Sequence, residues 1–430
     1  MGAGRIAIIG GGAAAAWLVL RLLGGGADDI VVIEPRAEVG RGLAYSARLD
    51  AHLLNVPANK MDMDAAPGDP LFADWLEGVA PEFVPEGYAP RRLYGDFLTG
   101  AYREATAGRN VRHVRAVARS LERGAAGWRV GLSTGEKVTA AAVVLALGNL
   151  PPRALAPHVA DPRVMEDPWA PPPDGGPGRR VVVAGTGLTA LDAVLGIAAA
   201  DPAARFTLAA AHPYAPPVDR IVPSRFDGAA LVGRSPAAGW GMVRAGLRAE
   251  GGRDWYEVID GVRPHVEAIW RGWSEAERRR FWRHGARPWL HHRHRTAPAT
   301  AAAIDALVEA GRLTFRAGRV GNVVPGQEAL SLAIGGVATT ADLLVNATGP
   351  SLSLGSVPLL ADAMAAGLVT PDPLGLGIRV DTDGAVIGAG GAPQPGLYAL
   401  GPLTRGAFFE IVAVPHVRAK AGVIAARLTA

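Results

Sequence analysis

Apolar positions in this chain fall into two kinds of run. Short continuous apolar runs read as buried strands: RIAII at 5–9, IVVIEP at 30–35, Val143–Leu147, Val181–Ala184, FTLAAAH at 206–212 and ADLLVNATG at 341–349. Longer apolar stretches follow two of them after a glycine turn, Ala13–Leu23 and the segment after Gly187, and read as helices. Strand, glycine turn, helix and strand make a βαβ opening, and the opening recurs from Arg179 as the internal repeat of the chain. Between these, residues 40–110 look irregular, with helical pieces around Leu71–Leu76 and Tyr94–Tyr102. Residues 111–148 alternate like a β-meander that returns to the buried strand at Val143–Leu147. A Pro-rich stretch at 151–177 reads as a linker, and 226–310 as a helical insertion rich in Trp and Arg. Strands resume at LTFRAGRV and ALSLAIGG, then GLYALG (396–401), and a helix over Ala413–Leu428 closes the chain. The expected fold is α/β: two Rossmann-like dinucleotide-binding domains plus a helical insertion.

Composition narrows the chemistry. At 430 residues, 49% hydrophobic and 20% charged, the chain exceeds what one core organises and suits a two- or three-part soluble protein. It has no cysteine, which removes disulfides, thiolate nucleophiles, Cys-ligated metals and dithiol redox pairs. The net charge of +4 comes from arginine, since only Lys60, Lys137 and Lys420 are lysines. No basic run interleaved with aromatics suggests a nucleic-acid partner. The apolar N-terminal segment is broken by Gly10, Gly11 and Gly12, and no other run reaches the roughly 20 residues of a membrane span. We therefore expect a cytoplasmic protein with a small-molecule partner, and leave a homodimer open.

Two constellations carry the candidate chemistry. In Gly10-x-Gly12-x-x-Ala15, Gly10 permits the turn, Gly12 admits a pyrophosphate, Ala15 lets helix pack on strand, and Glu34 closes the next strand where ribose hydroxyls would sit. Gly185-x-Gly187-x-x-Ala190, with Thr189 in the helix start, repeats the pattern. Its second strand ends in Ala210, Ala211 and His212, without the carboxylate that repels a 2′-phosphate. With Arg220 and Arg225 following, this leans towards NADPH over NADH, the alternative being a second fold that binds no nicotinamide. The HHRHR run (residues 291–295) is a poor cation site because no acid lies beside it, so no metal is expected. An anion site and a solvated basic helix end both remain open for it.

Two such units resemble the two-dinucleotide-binding flavoproteins related to class B flavin monooxygenases. Residues 40–63, 281–298 and 401–418 are similar to the FAD-NAD(P)-binding protein family, and with the glycine motifs the resemblance spans nearly the whole chain. It implies an FAD domain at 1–155, an inserted NAD(P) domain at 178–340, and the second part of the FAD domain at 341–430. It also marks Gly148 and Gly349 as the strand ends where the chain passes between domains, and Gly401 as the strand end at the flavin. Where the wider superfamily has a ribityl-binding Asp after that glycine, this chain has Pro402, leaving Thr404 as a substitute. Arg41 could neutralise phosphate, and Asn55 and Lys60 could reach flavin or substrate, although Asn55 also suits a loop cap. Glu410 fits a substrate or ribityl contact, or a helix-start carboxylate. The resemblance implies an FAD-dependent NAD(P)H oxidoreductase, foremost a monooxygenase. The alternatives are an FAD dehydrogenase or oxidase of an amino or hydroxy acid, and a non-catalytic flavin-binding protein.

Overall fold

The computed structural model describes residues 4–47, 49–63, 65–84, 86–125, 127–220, 223–248 and 254–430. Two sheets organise them. The first runs in the order Ala385–Ile387, Pro393–Ala399, Ala142–Leu145, Ile6–Ile9, Ile30–Ile33, Val111–Val114, parallel except for its first pair. The second is parallel throughout, in the order Leu313–Ala317, Arg205–Ala210, Arg180–Ala184, Leu343–Asn346, Val164–Met165. Each unit places its opening strand between the strand that follows its helix and a strand returning from far along the chain. In the first unit the returning strand is Ala142–Leu145, in the second Leu343–Asn346. All four residues of Ile6–Ile9, Ile30–Ile33, Ala142–Leu145 and Leu343–Asn346 are buried, which accounts for their unbroken apolar runs.

The meander differs from expectation at its start. Val111–Val114 pairs in parallel with Ile30–Ile33 as the edge of the first sheet. The antiparallel sheet proper comprises Ala118–Gly124, Gly127–Leu132 and Lys137–Ala140. Its half-exposed Val-Arg-His-Val composition suits an edge position, where one side remains solvated. A second antiparallel sheet, Val320–Pro325, Leu330–Ile334 and Val337–Ala341, holds the same place before the returning strand of the second unit.

Helices Pro236–Arg248, Trp255–Val262, Val266–Gly272, Glu275–His284 and Ala286–Arg293 form the insertion. Ser274 and Glu277 exchange hydrogen bonds as a capping box at the start of Glu275–His284. These helices bury Val258, Ile259, Ile269 and Trp270 in a core that also takes in Leu376 and Phe409 from the C-terminal segment. The insertion is thereby welded to the first unit. Helix Pro298–Glu309, counted above with the insertion, instead buries Ile304 and Leu307 in the core of the second unit. The last helix, Val414–Thr429, lies on Ala13–Gly24. Among the described residues no helix is long and apolar enough to cross a membrane.

Trp270 is the keystone of the insertion: it is buried, stacks on Phe409 at 4.7 Å and donates its indole N–H to the Gly406 carbonyl at 2.9 Å. Trp270→Ala should cost about 3–5 kcal/mol, read as a lower midpoint in denaturant unfolding.

Candidate functional site

Both glycine turns are built by one steric constraint. Gly10 (φ +104°) and Gly185 (φ +127°) each end an opening strand, and a Cβ on either would collide with a carbonyl at the end of the returning strand, Ala146 and Ala347 respectively. Only glycine fits such a turn. Each helix then starts with a glycine N-cap, Gly12 or Gly187, and no side chain caps its first amides. Uncapped N–H groups at the positive end of a helix are an anion cradle. Nothing lies within 4 Å of a Cβ built on Gly187, whereas one on Gly12 stands 3.3 Å from the Gly42 Cα. The Arg41–Gly42 loop therefore borders the first cradle.

The predicted residues around the first turn sort as follows. Glu34 is buried, and its carboxylate accepts the Gly11 N–H at 2.8 Å and the Arg36 N–H at 3.0 Å, bracing the turn. Arg41 is matched by Glu38 and Asp96, so its charge is engaged within the protein. Asn55 is half-buried, and Lys60, on the short helix Ala58–Met61, forms no ion pair among the described residues. Gly148 and Gly349 lie at strand ends with open space beside them. A Cβ built on Gly401 would stand 3.8 Å from the Ala14 Cβ, which places the end of the last strand of the first sheet beside the start of its first helix. Thr404 is fully buried, with its hydroxyl donating to the Gly401 carbonyl at 2.9 Å.

Glu410 has a role that its sequence position did not reveal. It is buried, accepts the Trp289 indole N–H and the Arg293 Nε–H, both at 2.8 Å, and so clamps helix Ala286–Arg293 to the C-terminal segment. Burial alone would raise its pKa, but Arg293 and the Trp289 bond outweigh it and hold the carboxyl at about 2. It stays ionised and is no proton donor near neutrality.

The same helix divides its residues between two faces. Trp289 and Arg293, four apart, turn inward to Glu410. Arg287, His291 and His294, four and three apart, turn to a cavity of about 760 Å³ opposite Gly187 and Leu188. His212 and Tyr214, just beyond strand Arg205–Ala210, line it too. Burial and Arg287 depress the His291 pKa, and burial and its charged neighbours depress those of His292 and His294. Arg287, exposed and without an ion pair among the described residues, is the fixed cation of this cavity. Arg220 lies elsewhere: it pairs with Asp254 and stacks over Tyr256, 4.0 Å from the ring centroid. Arg225 is paired with Glu257. Arg287 was overlooked in the sequence because its signal is a helical spacing to His291 and His294. Thr189 sits half-buried in the first turn of Leu188–Ala200. No group of three or more His, Asp or Glu among the described residues could hold a metal ion.

The two units are joined by polar contacts. Arg91 pairs with the buried Asp192 at 2.7 Å, His52 Nε2 lies 3.0 Å from the Asp192 carbonyl oxygen, and the Tyr88 hydroxyl donates to Asp219 at 2.8 Å. The strand ends at Gly148 and Pro350 meet residues 402–405 at a small cavity of about 30 Å³.

This arrangement defines a two-dinucleotide flavoprotein fold. Residues 7–150 match the family model described as FAD-NAD(P)-binding. No curated protein matches the chain by sequence. Among solved structures, the ornithine N-hydroxylase of Kutzneria sp. 744 is similar at 18% identity, covering 98% of each chain with a TM-score of 0.67. L-lysine 6-monooxygenase of Pseudomonas syringae is similar at 16% identity, covering 99% of each chain with a TM-score of 0.67. Bacillithiol disulfide reductase of Staphylococcus aureus is similar at 12% identity, covering 99% of this chain and 98% of that one, with a TM-score of 0.58. At these identities the likeness shows the fold.

Two measurements check the site. Arg287→Ala should raise the NADPH Kd about tenfold or more with little change for NADH, while Arg220→Ala leaves the ratio intact. Glu410 has a folded pKa near 2 against an ordinary 4.5, so its stabilisation is fully present above pH 4.5 and is lost as pH falls towards 2. Glu410→Gln should flatten the acid limb of a Tm-against-pH curve in that window.

Proposed function

We propose that the chain is a cytoplasmic, NADPH-dependent flavin monooxygenase acting on a small molecule. The observation that carries this is the pair of glycine turns built by the same contact, one in each unit, whose strand ends converge on a single junction. The first turn would hold FAD: the amides after Gly12 on the pyrophosphate, Glu34 towards the adenosine ribose, and the N-terminus of Val414–Thr429 towards the flavin, where no side chain caps it. The second would hold NADPH, with the amides after Gly187 on the pyrophosphate and Arg287 and His212 towards the 2′-phosphate. A cavity of about 760 Å³ beside Gly187 is large enough for such a ligand and argues for an occupied second unit.

When bound, FAD would supply the redox chemistry, accepting a hydride from the nicotinamide and delivering electrons to dioxygen, with one oxygen atom going to the substrate and the other to water. The protein contributes binding and exclusion. Buried Leu354, Leu376 and Leu403 wall the junction and would limit water there. The fold alone does not select the reaction, since monooxygenases and a disulfide reductase share it. The cysteine-free composition argues against the reductase branch, because no thiol of this chain can relay electrons to a disulfide. The second reading, a dehydrogenase or oxidase with a structural second unit, leaves the open Gly187 turn and its cavity without a purpose.

Anaerobic mixing of the purified protein with NADPH should bleach the flavin band, and oxygen should restore it. An unchanged spectrum would overturn the proposal.

A further inference from the structure

Resting on that reading, we infer that Arg405 is an anchor for a carboxylate of the substrate at the junction of the two units. Three observations independent of the cofactors converge on it. The Arg405 Nε is buried and has no hydrogen-bond partner. The side chain forms no ion pair among the described residues; its guanidinium lies beside a perpendicular pair of rings, 5.3 Å from the centroid of Trp282 and 5.6 Å from that of Phe409. It also lines the cavity of about 30 Å³ where Gly148, Asn149, Pro350 and Pro402 meet, which has room for roughly two waters or one carboxylate group.

The surroundings provide no internal partner. Glu410, the carboxylate whose field reaches Arg405, is already engaged by Trp289 and Arg293. The other charged group that Arg405 influences is basic, His294, and Arg293, Arg263 and His416 act on Glu410 or are acted on by it. Burial works against the charge of Arg405 and lowers its pKa. An arginine in that state is costly until an anion arrives. Its planar fork presents paired N–H donors that match the two oxygens of a carboxylate. The aromatic rings fix its plane before the ligand binds, which favours recognition of one geometry. The substrate class assigned here is thus an organic acid, bound through its carboxylate beside the flavin.

The test uses the purified, oxidised holoprotein, in which the flavin ring carries no negative charge of its own, with acetate as the probe. Acetate replaces chloride at constant ionic strength, and Tm and Trp fluorescence are followed. Acetate should raise the Tm by about 1–2 °C in a saturable manner and alter the fluorescence, because Trp282 stacks on the responding group. Arg405→Met should keep or raise the Tm in chloride, since it removes an uncompensated buried charge, and should abolish both acetate responses. Arg405→Lys should retain a weaker response. No acetate response in the wild-type protein, or one undiminished in Arg405→Met, would overturn the assignment. So would a marked Tm loss for Arg405→Met in chloride, which would make the arginine a structural stacking residue. Because none of these readings needs NADPH or turnover, the carboxylate site can fail while the monooxygenase reading stands, and the reverse.

Discussion

The structure depends on a contact that occurs twice: the backbone of a glycine pressed against the carbonyl at the end of a returning strand. Gly10 meets Ala146 in the first unit and Gly185 meets Ala347 in the second. Any side chain at either glycine would force the opening strand and the returning strand apart. Because the contact holds, the chain leaves each strand steeply and starts a helix whose first amides face outward. It also brings the returning strands to their ends at Gly148 and Gly349, where the chain passes from one unit to the other. Local sterics thus set the position of both anion cradles and of the junction between them.

A second device ties the helical insertion to the first unit. The insertion has its own aromatic core, but that core includes Leu376 and Phe409. The Glu410 clamp to Trp289 and Arg293 adds a buried polar tie at the same seam. Helix Ala286–Arg293 can consequently present Arg287 and His291 to the second cradle while its other face is fixed to the first unit. One short helix therefore couples the cavity beside Gly187 to the segment carrying Arg405.

Much of this was legible in the sequence, and the limits have physical causes. The two glycine patterns, the buried strands and the helical tryptophan-rich insertion follow from periodicity and turn chemistry, which are local. Residue roles at the site are set by distant partners. Arg220 follows the second unit's cradle closely in sequence, yet Asp254 captures it across the insertion. Arg41 is claimed by Glu38 and Asp96, and Glu410 by a helix more than a hundred residues upstream. The division of the run was available in principle, since residues 287 and 291 share one helical face and 289 and 293 another, with His294 just past the helix end. The sequence left an anion site and a solvated helix end both open, because nothing local says where each face points. Arg405 carried no signal at all, because its significance lies in the partners it lacks.

The central claim is that one chain carries two distinct and simultaneously usable dinucleotide sites. Its most direct measurement is the stoichiometry of both: flavin released from the denatured protein, and NADP⁺ binding to the intact flavoprotein by calorimetry. The account predicts one FAD per chain and one NADP⁺ per chain, with NADP⁺ binding weakened by Arg287→Ala and the FAD content unchanged. A flavoprotein that binds no NADP⁺, or one in which NADP⁺ displaces FAD from a single shared site, would contradict it.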